Sequence, residues 1–296
     1  MLSYRLQFMD MEGNRDGTDR LSVNDLFAGG YGVSPTDMTM QMHVVGVMYS
    51  PSEKVTLIAM IPYMIKEMDH RTSLGFIPAP DTTFTTRSDG LADIKLTGLI
   101  PLMQSGRHRI HLGVGLSFPT GSIDEKDDLP PLDGNDAHLP YPMQLGSGTY
   151  DLLGGLTYSG QAEHWSWGGQ AGGTLRTGEN DNDYSLGDTY ALTSWVARKW
   201  SQKVSTSLRV IGQIWGNIEG NDSKLAVPAA VNPTADPDLR AGKRWDLLLG
   251  ANIYLPGSGM KGHRLFFEGG MPIYQDLDGP QLETDWVVTI VYKYAL

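Results

Sequence analysis

The sequence predicts an all-β protein: a single domain over residues 1–296 that folds as a transmembrane, antiparallel, up-and-down β-barrel of about twelve strands. Three observations support this fold class. Apolar and polar residues alternate along most of the chain, as in strands that have one apolar face. Short and long connections alternate, and aromatic residues gather near both ends of the strands. Both patterns are typical of bacterial outer-membrane barrels.

Composition excludes several other classes. The chain has no cysteine, which rules out a disulfide scaffold, thiolate metal sites and cysteine nucleophiles. A net charge of -11 and a pI near 5.0 argue against binding nucleic acid. Mean hydropathy is -0.25, and no run approaches the roughly 18 apolar residues of a membrane helix. Barrel strands need only about 9–11 residues with one apolar face.

Six strands are predicted in the first half of the chain. The first begins at the N-terminus, in M-L-S-Y-R-L-Q-F, and the third, at residues 55–66, alternates less cleanly. The other strands are assigned a lipid-facing side that consists of Leu2, Tyr4, Leu6 and Phe8; Met38, Met40, Met42 and Val44; Ile94, Leu96, Ile100 and Leu102; Ile110, Leu112, Val114, Leu116 and Phe118; and Leu152, Leu156 and Tyr158.

Six more strands are predicted in the second half. Of these, the strand at residues 187–200 alternates less cleanly. The other five are assigned a lipid-facing side that consists of Trp165, Trp167, Ala171 and Leu175; Val204, Leu208, Val210 and Ile214; Trp245, Leu247, Leu249, Ala251, Ile253 and Leu255; Leu265, Phe267, Met271 and Ile273; and Trp286, Val288, Ile290, Tyr292, Tyr294 and Leu296.

The connections sort by length. Five short turns are predicted at residues 51–54, 104–107, 161–164, 201–203 and 257–262. Six longer polar segments are predicted at residues 12–36, 69–88, 119–147, 177–187, 217–241 and 275–282. A twelve-stranded barrel with both termini on the turn side requires these two numbers. A soluble β-sandwich shows the same alternation of residues but has no reason to sort its loops in this way.

Aromatic residues predict two membrane interfaces. One group lies near the short turns and the other near the long loops, as expected of amphipathic rings at both surfaces of a membrane. The turn-side group is Tyr4, Tyr49, Tyr158, Trp165, Trp200, Tyr292 and Tyr294, and the loop-side group is Phe118, Tyr150, Tyr190, Trp215, Trp245 and Tyr274.

Four segments resemble a known family. They are G-L-A-D-I-K-L at 90–96, S-F-P-T-G at 117–121, G-S-G-T-Y-D-L-L-G-G-L at 146–156 and M-P-I-Y-Q-D-L-D-G-P-Q-L at 271–282. They are similar to segments of bacterial outer-membrane transporters named after the meta-pathway of phenol degradation. This resemblance implies a Gram-negative outer-membrane barrel that passes small organic molecules, and it supplies no site residues. Related chains continue upstream through a secretion signal, so we expect this sequence to start inside the mature protein.

The opposite face of the strands carries the candidate functional residues. We predict that they line the lumen, either paired in a filled interior or exposed along a water-filled path that selects solutes by charge. The candidates are Arg5, Asp93, Lys95, Arg109, His111, Asp151, Arg176, Arg209, Asp246, Arg264, Glu268 and Lys293. Basic residues exceed acidic ones in this set, which predicts a weak preference for anions.

Metal binding and catalysis are the weaker hypotheses. A path for a soft cation is suggested by Met38, Met40, Met42, Met48, Met60, Met64 and Met68 with His43 and His70. The first four methionines share the lipid-facing phase, however, where methionine is apolar filler. The acidic segments 124–136 and 179–183 lack calcium-loop spacing and are expected to be solvated loops. His111 and Ser117 share a face about 20 Å apart, too far for a nucleophile and its base. We therefore expect no metal, cofactor or catalytic residue.

The resulting hypothesis is a passive channel or transporter for small solutes in the bacterial outer membrane. Two alternatives stay open: a barrel enzyme that acts on lipids or esters, and a structural barrel without an open pore. The expected partners are outer-membrane lipid, lipopolysaccharide, the barrel-assembly machinery and the solute, with no nucleic acid.

Overall fold

The structure is a computed structural model that describes residues 1–77, 79–129, 136–255 and 262–295. Strands dominate it, and its α-helix is the six-residue α1 at Val23–Ala28. Short 3-10 turns lie at Tyr141–Met143, Pro233–Ala235 and Pro237–Leu239. In the described part of the chain, no helix has the length and apolar character needed to cross a membrane.

The strands are numbered in chain order. The first nine are β1 Leu2–Gly17, β2 Asp19–Leu21, β3 Val33–Ser52, β4 Val55–Thr72, β5 Thr83–Leu91, β6 Ile94–Ser105, β7 His108–Phe118, β8 Lys126–Asp128 and β9 Asp136–His138. The others are β10 Asp151–Gln161, β11 Trp165–Leu175, β12 Tyr184–Ser185, β13 Thr189–Lys199, β14 Val204–Trp215, β15 Glu219–Gly220, β16 Gly242–Leu255 and β17 His263–Tyr294.

One sheet closes on itself as an antiparallel barrel. Its ring contains eleven continuous strands, while β2 pairs beside β1 and β5 pairs beside β4. A ring with an odd number of antiparallel strands closes only if one strand reverses direction. The long strand β17 does this, because residues 263–277 pair with β16 and residues 277–294 pair with β1. This reversal adds one crossing, so the ring agrees closely with the predicted count of about twelve.

The outer face of the barrel is apolar. Leu249 is 68% exposed, and Leu192 and Val114 are also exposed, as expected of side chains that face lipid. Directly opposite residues of an antiparallel pair share a face, so the register extends the assignment around the ring. On this basis the stretch 110–118 of β7 turns its apolar residues outward, as predicted, and Arg109 and His111 turn inward.

The predicted lipid face of β3 is wrong. Val45 and Tyr49 are exposed on the outside, whereas Met38 and Val44 are buried and point into the barrel. Val44 lies opposite Arg5 of β1, which also points inward. The prediction failed because both faces of β3 are apolar, so alternation of residue types could not show which face meets lipid.

The strands on one side of the barrel extend beyond the apolar band. On β4 the outward residues change from Ile61 and Tyr63 to the charged Glu67 and Asp69 while the strand continues to Thr72. The loops are therefore shorter than the predicted segments 12–36 and 69–88, because parts of those segments belong to strands. These strand ends carry polar residues on their outer face because they meet water instead of lipid. The predicted loop 275–282 is part of β17. Most of the predicted turn 257–262 lies outside the described residues.

Three long segments close the loop end of the barrel. The lid, as the term is used here, consists of the described parts of segment 119–150, namely residues 119–129 and 136–150, and of residues 176–188 and 216–241. Two small apolar cores hold them: Leu129, Leu139 and Met143 pack on Met38 and Met68 of the barrel, and Tyr141, Tyr184 and Ile218 pack on one another. The lid is therefore a packed structure and not a set of separate solvated loops.

Candidate functional site

The turn-side half of the lumen is an open chamber. A cavity of ≈ 470 Å³ lies between β11, β13, β14, β16 and β17. It shares Ala197, Ser205, Asn252 and Arg264 with a recess of ≈ 460 Å³ at the turn-side mouth, so the two form a continuous space. We call this space the basic chamber.

Trp195 also lines the basic chamber, and the sequence did not reveal it. A Cβ atom at the neighbouring Gly168 would come within 2.3 Å of the Trp195 ring, so the glycine makes room for the indole. The alternation in the predicted strand 187–200 was too weak to place Trp195 on the inner face. Trp195 thus adds a large aromatic ring to the wall of the chamber, which Phe266 and Tyr254 also line and which Trp165 borders at the turn-side mouth.

Five of the predicted lumen residues meet in the basic chamber. Arg209 is hydrogen-bonded to Glu268, and both are close enough to Arg5 to interact electrostatically with it. Lys293 is similarly close to Arg5 and to Arg264. Four basic groups therefore surround a single carboxylate. This local charge favours anions.

Four other predicted lumen residues form a buried anchor for the lid. The Asp93 carboxylate accepts hydrogen bonds from the backbone N–H of Gly121 at 3.0 Å and of Ser147 at 2.8 Å. The Asp151 carboxylate accepts one from Thr149 Oγ1 at 2.7 Å and one from the Arg176 guanidinium.

Lys95 completes this anchor by its charge. Its ammonium interacts electrostatically with Arg176, Asp93 and Asp151. The four groups therefore hold both ends of the lid segment 119–150 instead of lining an open wall.

The three remaining candidates lie apart. Asp246 pairs with Arg244, with 3.0 Å between the carboxylate and the guanidinium. Arg109 and His111 lie on β7 opposite Ser159 and Thr157. Among the described residues, Arg109 makes no salt bridge. That any of the twelve candidates serves permeation stays a prediction.

The tip of the lid segment 119–150 is held inside the loop end of the barrel. The buried Lys66 ammonium donates hydrogen bonds to the carbonyls of Pro142 at 2.8 Å and Gln144 at 2.6 Å. Ser88 Oγ donates to the carbonyl of Met143 at 2.6 Å. The sequence predicts a polar loop here. The apolar run L-P-Y-P-M-Q-L at 139–145 is the signal that could have revealed a buried segment.

One wall of the lumen is rich in methionine. The register turns nine methionines on β1, β3 and β4 inward, and they lie opposite one another in several pairs, among them Met11–Met38, Met38–Met68 and Met42–Met64. The set is Met9, Met11, Met38, Met40, Met42, Met48, Met60, Met64 and Met68. The lipid-facing assignment used against a soft-cation path is therefore wrong. At the lid these side chains pack with Leu129 and Leu139, as apolar fillers do.

The acidic segment 124–136 takes part in the lid. Asp124 accepts hydrogen bonds from Lys224 at 2.8 Å and Asn182 at 3.0 Å, and these two bonds lower the pKa of its carboxyl. Residues 130–135 of the segment lie outside the described residues. No group of three or more His, Asp or Glu side chains suited to a metal ion is found in the described part of the chain.

The closed antiparallel ring, its apolar outer face and its charged interior define an outer-membrane β-barrel. The chain belongs to the family described as "Putative MetA-pathway of phenol degradation", whose family model matches residues 28–255. This confirms the family that the sequence segments resembled.

Two solved structures are similar in fold. One is an outer membrane channel from Pseudomonas putida F1, with a TM-score of 0.63 and 11% identity over 100% of this chain and 95% of that one. The other is the transport unit of the autotransporter AIDA-I from Escherichia coli, with a TM-score of 0.54 and 8% identity over 100% and 90%. No curated protein sequence matches the chain.

Proposed function

We propose that the protein is an outer-membrane channel through which small solutes diffuse passively, and that the lid controls access from the loop side. The observation that carries this proposal is the division of the lumen. A basic chamber is continuous with the turn-side mouth, and the other end is closed by a lid held through hydrogen bonds and apolar packing. In the outer membrane the long loops of a barrel face outward and the short turns face the periplasm.

The two walls suit different parts of a small organic solute. Arg264 and Lys293 offer positive charge to an anionic group on one side of the lumen. The methionine wall begins on β1, the strand that pairs with β17, and offers flexible, polarisable thioethers to an apolar group. Small organic or aromatic molecules that carry an acidic or polar group fit this combination. The family description agrees with such a solute.

The proposed partners are inferred from the outer face of the barrel, the lid and the closing strand β17. The apolar outer face fits lipid, and the exposed lid fits lipopolysaccharide at the outer surface. The antiparallel β17, which closes the ring against β1, is the element that we expect the barrel-assembly machinery to recognise. The acidic composition of the chain gives no reason to add nucleic acid to these partners.

We propose no enzymatic role. His111 and Ser117 are six residues apart on β7, where they pair with Pro101 and Lys95 of β6. That placement does not form a pair of nucleophile and base. The closed lid favours one alternative, a structural barrel without an open pore, and the experiment that follows separates it from a channel.

Conductance in planar bilayers tests the proposed function. We expect the purified full chain to give discrete current steps, and reversal potentials in a KCl gradient to show a weak preference for chloride. A clear preference for potassium would contradict the basic chamber as the selective region. A protein that conducts neither in its natural form nor with the lid segment removed is a structural barrel.

A further inference from the structure

One arginine faces outward from the barrel wall near its turn-side end. Its neighbours in β13, Ala197 and Lys199, line the turn-side recess of the lumen, so alternation along the strand turns Arg198 to the outer face. Its cross-strand neighbours on that face are Trp165 of β11 and Thr206 of β14. No other charged side chain points outward from β11, β13 or β14, all of whose residues the structure describes.

Two tryptophan rings hold the Arg198 guanidinium. Its central carbon lies 4.1 Å from the ring centroid of Trp200 and 5.4 Å from that of Trp165, and both distances are within the range of cation–π interactions. Trp200 is itself fixed, because its indole N–H donates to Thr206 Oγ1 at 2.8 Å. The guanidinium is therefore oriented before any ligand binds.

The charge of Arg198 is not balanced by a carboxylate. It makes no salt bridge with any residue that the structure describes. By contrast, Arg87 on the outer face of β5 pairs with Glu67 at 3.1 Å. A guanidinium carries five N–H donors in a planar fork that matches the oxygens of a phosphate group. Arg198 thus presents an oriented phosphate-binding group on the side of the barrel that meets lipid.

Arg198 lies at the depth where phospholipid phosphates are expected. Leu192 and Val196 face lipid from the middle of β13, and Arg198 is the next outward residue but one from Leu192's end of that row, one position before the strand ends at Lys199. An arginine on the lipid face is costly at the middle of the bilayer and tolerated close to its surface. The short turns of an outer-membrane barrel face the periplasm, so this surface is the phospholipid leaflet and not the lipopolysaccharide leaflet.

The turn-side end of the barrel is basic, although the whole chain has a net charge of -11. In the turns 51–54, 104–107 and 161–164 and in residues 198–203, basic side chains outnumber acidic ones. The basic residues are Lys54, Arg107, Arg198, Lys199 and Lys203, and the acidic residues are Glu53 and Glu163. Basic groups near a membrane surface attract anionic lipids. A lipid with a negative net charge therefore suits this end better than one whose headgroup adds a positive charge.

We propose that Arg198, held between Trp165 and Trp200, binds the phosphate of an anionic phospholipid in the periplasmic leaflet. The guanidinium would donate two hydrogen bonds to the phosphate oxygens. The acyl chains would lie along the apolar outer face, where Val196 and Leu208 are directly opposite each other. This site requires a barrel in a membrane and does not depend on conduction through the lumen.

Native mass spectrometry of the detergent-purified full chain tests the site, because it counts the lipid molecules that stay bound. The probes are phosphatidylglycerol, which is anionic, and phosphatidylcholine, which adds a positive charge to the same phosphate. We expect phosphatidylglycerol to bind about fivefold more tightly, the order expected of one basic residue near an anionic lipid surface. In Arg198→Gln the affinity for phosphatidylglycerol should fall by about the same factor.

Three further variants separate a site from the general charge of this end. Lys199→Gln is the matched control, because it removes one positive charge from the same strand end but on the lumen side, and it should bind phosphatidylglycerol as the natural protein does. Trp200→Leu keeps every charge and should still weaken binding severalfold, because the guanidinium loses the ring that orients it. Arg198→Lys keeps the charge without the planar fork and should bind less tightly than the natural protein.

Three results would overturn the proposal. Equal losses in Lys199→Gln and Arg198→Gln would mean that the overall charge of the barrel end attracts the lipid. Equal affinities of the natural protein for the two lipids would remove the anionic headgroup as the ligand. Displacement of the bound lipid by inorganic phosphate would mean that Arg198 takes free phosphate. Heat-modifiable migration on gels verifies that each variant forms a closed barrel.

Discussion

The two ends of the lumen are held together in different ways. The basic chamber is walled by barrel strands, whose backbone groups are paired in the sheet and whose outer side chains meet lipid. The lid is held by side-chain hydrogen bonds, such as those of Lys66 and Asp93, and by two small apolar cores. Widening the chamber would require breaking the sheet, whereas opening the lid requires only the loss of local contacts. We therefore expect the lid to be the part of the lumen that moves while the barrel stays folded.

The largest effect is expected on the barrel wall. Leu249 lies in the middle of the outer face of β16 and is strongly exposed. Leu249→Arg should lower the free energy of unfolding from lipid vesicles by about 2–4 kcal/mol, because a charge is placed in hydrocarbon. Ala230→Arg in the exposed lid is the control and should leave that free energy nearly unchanged. Equal losses in the two variants would mean that the lid and the wall do not differ in their surroundings.

A smaller effect, confined to the lid, is expected from Lys66→Met. The substitution removes the ammonium that binds the carbonyls of Pro142 and Gln144, and hydrogen bonds to charged groups contribute about 1.5–3 kcal/mol. Hydrogen exchange of the Met143 and Gln144 amides should become faster while the strands keep their protection. Lys126→Met, at an exposed lid position, is the control. Faster exchange throughout the barrel would show that the lid is not an independent unit.

A still smaller effect is expected on the ion selectivity of the basic chamber. Arg264→Gln and Lys293→Gln should each reduce the chloride preference, because neither side chain makes a salt bridge among the described residues. Arg209→Gln should have less effect, since its charge is already balanced by Glu268. Glu268→Gln should raise the preference. Reversal potentials in a KCl gradient measure all four, and a larger effect of Arg209→Gln would contradict the pairing.

The smallest effect is expected at the rim of the lid. Lys224 and Asp124 form an exposed ion pair, which we expect to contribute little. The pair keeps the pKa of Asp124 below its ordinary value, so its contribution is present above that value and disappears as the pH falls through the lowered pKa. Lys224→Ala should therefore change lid protection only slightly at pH 7 and not at all in strong acid. A large effect at pH 7 would mean that this exposed ion pair, and not the buried contacts, holds the lid in place.

The sequence predicted the barrel wall much better than the lid, and the reason is physical. In β7 and β16 an apolar face meets lipid and a polar face meets the lumen, so residue types report the direction of each side chain. In β3 the inward positions are mostly methionines, so both faces are apolar and residue types do not show which face meets lipid. The chain reverses direction within β17, as its pairing with both β16 and β1 requires. Because this reversal occurs without a separate loop, the predicted loop at 275–282 does not appear as one.

Apart from the apolar run at 139–145, the course of the lid could not be predicted because its segments have no periodicity. Its contacts join residues far apart in sequence, such as Lys66 with Gln144 and Tyr141 with Tyr184. Alternation selected Asp93, Lys95, Asp151 and Arg176 as lumen candidates, but nothing in their spacing indicated that they hold the ends of the lid segment. Pairing of this kind depends on the course of the loop, which a strand pattern does not contain.

Removing the lid segment tests the central claim most directly. Residues 122–146 would be replaced by a short Gly–Ser linker, which keeps Gly121 and Ser147 on Asp93. Heat-modifiable migration on gels would verify that the barrel still closes. We expect single-channel conductance to rise severalfold with the chloride preference retained, because the basic chamber is unchanged. A folded variant whose conductance equals that of the natural protein would contradict the claim that the lid closes the channel.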